Sequence, residues 1–117
     1  MHELAISSAI VETALRHAAG RRVTHVHLLV GHLRQVVPAS LAFYWDVVTR
    51  ETLCEGATLQ QDLVPARLRC DACGWAWDVE ELAFRCPACD GPRVTVLQGD
   101  ELIVETIEVE VEDPCTA

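Results

Sequence analysis

Four cysteines dominate the chemistry available to this 117-residue chain: Cys70-Asp71-Ala72-Cys73 and Cys86-Pro87-Ala88-Cys89, two Cys-x-x-Cys pairs separated by twelve residues. Each pair is a short turn that aims two sulfurs at one point. Four thiolates at one point form a closed tetrahedral site with metal–sulfur bonds of about 2.3 Å. The residues after the second pair, Asp90-Gly91, suit a metal knuckle, with Pro87 fixing one backbone angle and Gly91 letting the chain turn back. The spacing favours structural zinc, because all four positions are filled by protein and none is left open for chemistry. Two disulfides and a rubredoxin-like iron site use the same cysteines and remain open at this point. Cys54 reads as a small buried apolar residue at the end of a helix, and Cys115 lies in a polar tail. Neither is assigned to the metal.

The start of the chain offers a second donor set. The amine of Met1 and the imidazole of His2 can chelate one ion, joined by the backbone nitrogens of His2 and Glu3 if these lose their protons. Four nitrogens in a plane suit Ni(II) or Cu(II) rather than zinc, and the loss of amide protons makes such binding strongly pH-dependent. A histidine in second place is unremarkable by itself. Three further histidines have plain explanations: His17 at a helix end, His25 and His27 on the polar face of a strand. His32 reads as a loop residue.

The elements that must carry these groups follow from periodicity. Leu4 to Ala19 has helical spacing at Ile6, Ile10 and Ala14 and is stopped by Gly20. Val23 to Val30 reads as a strand, with Val26, Leu28 and Val30 on one face and His25, His27 and Leu29 on the other. Pro38 opens a second helix expected to reach Leu53, burying Leu41, Tyr44, Trp45 and Val48. Ala57 to Val64 is a weaker strand with Leu59 and Leu63 on one face, and Val94 to Leu97 a short one. In the last strand Ile107, Val109 and Val111 alternate with Glu108, Glu110 and Glu112, and residues 113–117 form a tail. The expected fold is α+β: a small sheet of about three strands packed with two helices, interrupted by a zinc-ribbon lobe. Residues 1–66 plus 101–117 would form the α/β domain and residues 67–100 the lobe.

Half the residues are hydrophobic, enough for a packed core, and the formal charge is −9, from 9 Lys+Arg against 18 Asp+Glu. An acidic chain without a basic, aromatic-rich patch argues against nucleic acid as a partner. No signal peptide and no apolar run long enough for a membrane are visible, which makes a cytoplasmic location the expectation. No Ser/His/Asp or Cys/His arrangement and no phosphate-binding glycine loop point to an enzyme.

Met1-His2-Glu3, Gly31-His32-Leu33, Ser40-Leu41-Ala42-Phe43, Glu55-Gly56-Ala57, the paired knuckles and Ile107-Glu108-Val109-Glu110 occur in that order. Together they resemble the HypA family of nickel metallochaperones, called HybF in some paralogues, over nearly the whole chain. The resemblance implies a nickel carrier for [NiFe]-hydrogenase maturation, and in some organisms for urease, without a covalent reaction of its own. It implies nickel at His2, with the Met1 amine and the His2 and Glu3 backbone nitrogens as co-ligands. It implies zinc at Cys70, Cys73, Cys86 and Cys89, and as partners the GTPase HypB and the hydrogenase large subunit. Two departures from the family pattern stand out. Gly74 and Asp90 follow the knuckles where some members carry histidine, and His32 stands where many carry an acidic residue. A zinc-ribbon adaptor that binds only protein, with His2 idle, is the alternative.

Overall fold

The computed structural model describes residues 2–79 and 85–111. Met1, Glu112, Cys115 and the rest of the expected tail lie outside the described residues. The chain runs α1 (Glu3–Ala18), β1 (Val23–Gly31), a single 3-10 turn (His32–Arg34), α2 (Pro38–Val48), β2 (Thr58–Val64), β3 (Ala66–Cys70), β4 (Ala76–Val79), β5 (Val94–Gln98) and β6 (Leu102–Val109). These elements make an α+β fold with two helices and two three-stranded sheets, ordered β2-β1-β6 and β4-β3-β5. Among the described residues no helix is long and apolar enough to cross a membrane. The chain divides into two compact units: Met1–Leu28 with Val36–Asp62 and Ile103–Ala117, and Leu29–Gln35 with Leu63–Leu102.

In the first unit, α1 buries Glu3, Ser7, Ile10, Val11, Ala14 and Ala18. These positions recur every three or four residues, the spacing of one helix face. The face is rotated from the expected one: Ile6 is only half-buried and Ser7 is fully buried, its hydroxyl reaching the Leu41 carbonyl of α2 at 3.5 Å. The helix ends on Ala19 in the left-handed region (φ 52°), one residue before the expected stop at Gly20. On β1 the expected inward residues Val26, Leu28 and Val30 are all buried. Hydrogen bonds from Glu110 N to Arg22 O and from Gly31 N to Glu101 O, at opposite ends of the pair, run β6 antiparallel to β1.

α2 stops at Val48, five residues short of the expected Leu53. The cause is local. Thr49 N still makes its helical bond to Trp45 O (3.1 Å), but Thr52 then takes Thr49 O through both its N–H (3.0 Å) and its hydroxyl (2.6 Å), and further turns follow, Glu55 N to Thr52 O and Ala57 N to Cys54 O. Threonine hydroxyls that bond the backbone compete with the helical ladder, and Glu51 sits at φ 62°. Of the expected stripe, Leu41 and Trp45 are buried while Tyr44 and Val48 are half-buried. Trp45 also donates its indole N–H to Ala57 O at 2.9 Å, which satisfies the only polar atom of that buried ring. Leu63 is 64% exposed rather than inward, and β6 begins at Leu102 and ends before Val111, which is exposed.

The second unit has a small core of Ala66, Leu68 and Val79, with Leu33, Trp77 and Val94 packed against it. β3 lies between β4 and β5, antiparallel to both. Alongside it the backbone of Gly31 meets the β5–β6 turn so closely that a Cβ on Gly31 would sit 2.0 Å from Gly99 O. Leu33 N also donates to Gly99 O at 2.8 Å. Backbone cannot yield as a flexible side chain does, so Gly31→Ala is expected to cost about 3 kcal/mol. Gly56→Ala meets nothing within 4 Å but keeps a positive φ of 78°, and is expected to cost about 1 kcal/mol. Urea unfolding of the two variants should rank them in that order.

Candidate metal centres

The two knuckles are copies of one local design. Cys70 N donates to Trp75 O (2.7 Å) and Cys70 O accepts from Gly74 N (2.9 Å); Cys86 N donates to Gly91 O (3.1 Å) and Cys86 O accepts from Asp90 N (2.8 Å). In each, the residue after the second cysteine takes a positive φ, 79° at Gly74 and 61° at Asp90. Glycine is indifferent to that region and aspartate tolerates it. The turning residue of the second knuckle is therefore Asp90 and not the expected Gly91. Gly91 has another reason to lack a side chain: a Cβ there would crowd Cys89 Sγ at 3.2 Å and Cys70 Sγ at 3.3 Å. Neighbouring bonds brace the turns, from the Thr95 hydroxyl to Asp71 Oδ1 (2.5 Å) and from Arg85 Nη1 to Asp90 O (3.1 Å).

Cys70, Cys73, Cys86 and Cys89 converge, with all four sulfurs within 4.8 Å of one another. Cys70–Cys89 and Cys73–Cys86 sulfurs are each 3.6 Å apart. A disulfide requires about 2.05 Å, and the five described cysteines, Cys54 included, are free thiols. A tetrahedral ion with 2.3 Å bonds requires sulfurs about 3.8 Å apart, so the cluster fits a four-coordinate tetrathiolate ion. The leading cysteine of each pair is buried and the trailing one exposed. The Cys73 backbone N–H holds the Cys70 thiol down, to about 7. The Gly91 N–H favours the Cys89 thiolate, but the sulfurs of Cys70, Cys73 and Cys86 outweigh it and push that thiol up to about 12. Cys54 has no such neighbours, and burial pushes its thiol up.

Metal ligation requires thiolates, so the protons held near pH 7 must leave when an ion enters. Zinc added to metal-free protein at pH 7 is expected to release roughly three protons per ion. Affinity should then fall as pH is lowered. An unbuffered titration with a pH indicator measures the release; none at all would contradict the four-thiol site.

His2 is exposed and is the N-cap of α1, with φ −90° and ψ 65° and no side-chain capping bond. Its carbonyl accepts the first helical bond, from Ile6 N at 3.0 Å. The amide of Glu3 opens the helix. The other histidines are dispersed. His17 lines a cavity of about 260 Å³ with Val104, Glu105, Thr106 and Ile107, and His32 is half-buried in the 3-10 turn. His25 and His27 lie beside Glu108 of β6, a neighbour that no sequence spacing announces, because it depends on how β6 aligns with β1.

The profile of a family described as hydrogenase/urease nickel incorporation, metallochaperone, HypA matches residues 1–109. The chain belongs to the HypA family. It is 42% identical over 110 residues to the hydrogenase maturation factor HypA of Geobacter sp. (strain M21), covering 94% of this chain and all of that protein. It is 35% identical to HypA of Caldanaerobacter subterraneus subsp. tengcongensis, again over 94% of this chain and all of the relative. The solution structure of the Ni metallochaperone HypA from Helicobacter pylori shares the fold, with a TM-score of 0.70 at 21% identity over 96% of this chain and 100% of that one. The HypA family is thus one of nickel-incorporation metallochaperones, and this chain has its fold and a four-cysteine cluster able to hold a metal.

Proposed function

We propose that this chain carries Ni(II) to [NiFe]-hydrogenase during maturation and performs metal transfer rather than catalysis. The cargo would be held by the Met1 amine, the His2 imidazole and the backbone nitrogens of His2 and Glu3. Zinc at Cys70, Cys73, Cys86 and Cys89 would hold the lobe of residues 67–100. The observation that carries the reading is the family match together with an exposed His2 whose side chain caps nothing. The negative charge of two deprotonated amides would sit at the positive end of the α1 dipole.

An ion bound at a chain start is open to an acceptor, and acceptor thiolates would displace its nitrogens one at a time. Returning protons to the amides would assist release, so holding is expected to weaken as pH falls. The GTPase HypB and the hydrogenase large subunit are the proposed partners, and the cytoplasm the proposed site of action.

His2→Ala is expected to abolish nickel binding that survives gel filtration, while zinc content and the amide NMR spectrum stay as in the parent. Retained nickel with unchanged stoichiometry would remove His2 from the site. Absence of nickel from the parent as well would leave a zinc-ribbon adaptor.

A further inference from the structure

The outward face of β1 carries His25 and His27, and the neighbouring strand β6 brings Glu108 beside both. His25 Nδ1 lies 3.1 Å and His27 Nε2 3.8 Å from the same atom, Glu108 Oε2. The two rings are nearly parallel, 18° apart with centroids at 6.1 Å. Residues two apart on a strand point to the same side. The register that adds Glu108 is held by the Thr24 hydroxyl donating to Glu108 O (3.2 Å) and by the backbone bond from Glu110 N to Arg22 O (2.8 Å).

His25 Nδ1 is the informative atom. It has no solvent access and no hydrogen bond among the described residues, although a carboxylate oxygen is 3.1 Å away. A lone pair facing a carboxylate is repulsive unless a positive charge lies between them. A proton is one such charge and a metal ion another. Two imidazole nitrogens and one carboxylate oxygen form a borderline donor set, suited to Ni(II), Cu(II) and Zn(II).

We propose that His25, His27 and Glu108 form a second, exchangeable site for a divalent first-row transition-metal ion on the outer face of the β1–β6 pair. Among the described residues only the four cysteines already hold their ligand atoms within 4.8 Å of one another. The histidine site therefore closes by side-chain rotation. Side-chain exposures of 42% for His25, 26% for His27 and 58% for Glu108 leave room for it. Three protein ligands leave coordination positions to water, which makes the ion easy to exchange. The site does not rest on the nickel reading of the chain start, since it shares no ligand with it.

The test uses zinc-replete full-length protein carrying His2→Ala, so that the terminal imidazole is gone, titrated with Ni(II) alone and followed by the imidazole C–H lines in the NMR spectrum. The lines of His25 and His27 are expected to broaden together, with one ion per chain and before those of His17 and His32. Loss of an outer-shell partner already weakens metal sites by roughly 10- to 100-fold. Glu108→Gln, which removes a ligand, is expected to weaken binding at least that much. His25→Asn with His27→Asn should abolish the response while the amide spectrum keeps the parent fold. If the two imidazoles titrate with pH but ignore Ni(II), Glu108 only pairs with a protonated histidine and the site is refuted. Unchanged affinity in Glu108→Gln would also refute it.

Discussion

Four sulfurs held within 4.8 Å of one another cannot all ionise without a cation between them. The paired turns leave them little freedom to separate, because the same two backbone bonds close each knuckle and a left-handed residue finishes each. The unit around them has a core of three small or medium side chains, Ala66, Leu68 and Val79, with three partly buried neighbours. A core of that size supplies little stability of its own. An ion at the cluster relieves the repulsion and joins the end of β3 to the second knuckle. The neighbouring sulfurs keep the proton on Cys89, while the Cys73 backbone N–H eases the ionisation of Cys70.

The proposed cargo site has the opposite character. His2 is exposed, and Glu3 beside it opens the first turn of α1. A closed site of four thiolates would retain its ion, whereas one made of backbone nitrogen at a helix start would be governed by pH and by competing ligands. A chain that holds one metal for structure and passes on another needs both kinds.

The two-helix fold and the cysteine cluster were legible because they rest on short-range pattern. Cys-x-x-Cys spacing fixes a turn, and the inward face of β1 is plain alternation. What was not legible came from longer-range or competing interactions. α2 ends early because the Thr52 N–H and hydroxyl both take Thr49 O, a choice that apolar periodicity does not record. Leu63 is apolar yet exposed, and the burial of Ser7 instead of Ile6 depends on where Leu41 of α2 lies. β3 follows the alternation of Ala66, Leu68 and Cys70 with Arg67 and Arg69, but over only five residues, too short a run to stand out by period. The contacts of Gly31 with Gly99 and of Glu108 with His25 join residues that are far apart in sequence, and only the register of β6 and the path of the β5–β6 turn bring them together.

The central claim is that nickel is held by the chain start itself. Calorimetric Ni(II) titration of the native chain beside one extended by two residues ahead of Met1 addresses it most directly, since the extension converts the amine to an amide and leaves every side chain in place. Tight one-to-one binding confined to the native chain is the expected result. Equal binding by both chains would place the nickel elsewhere and contradict the account.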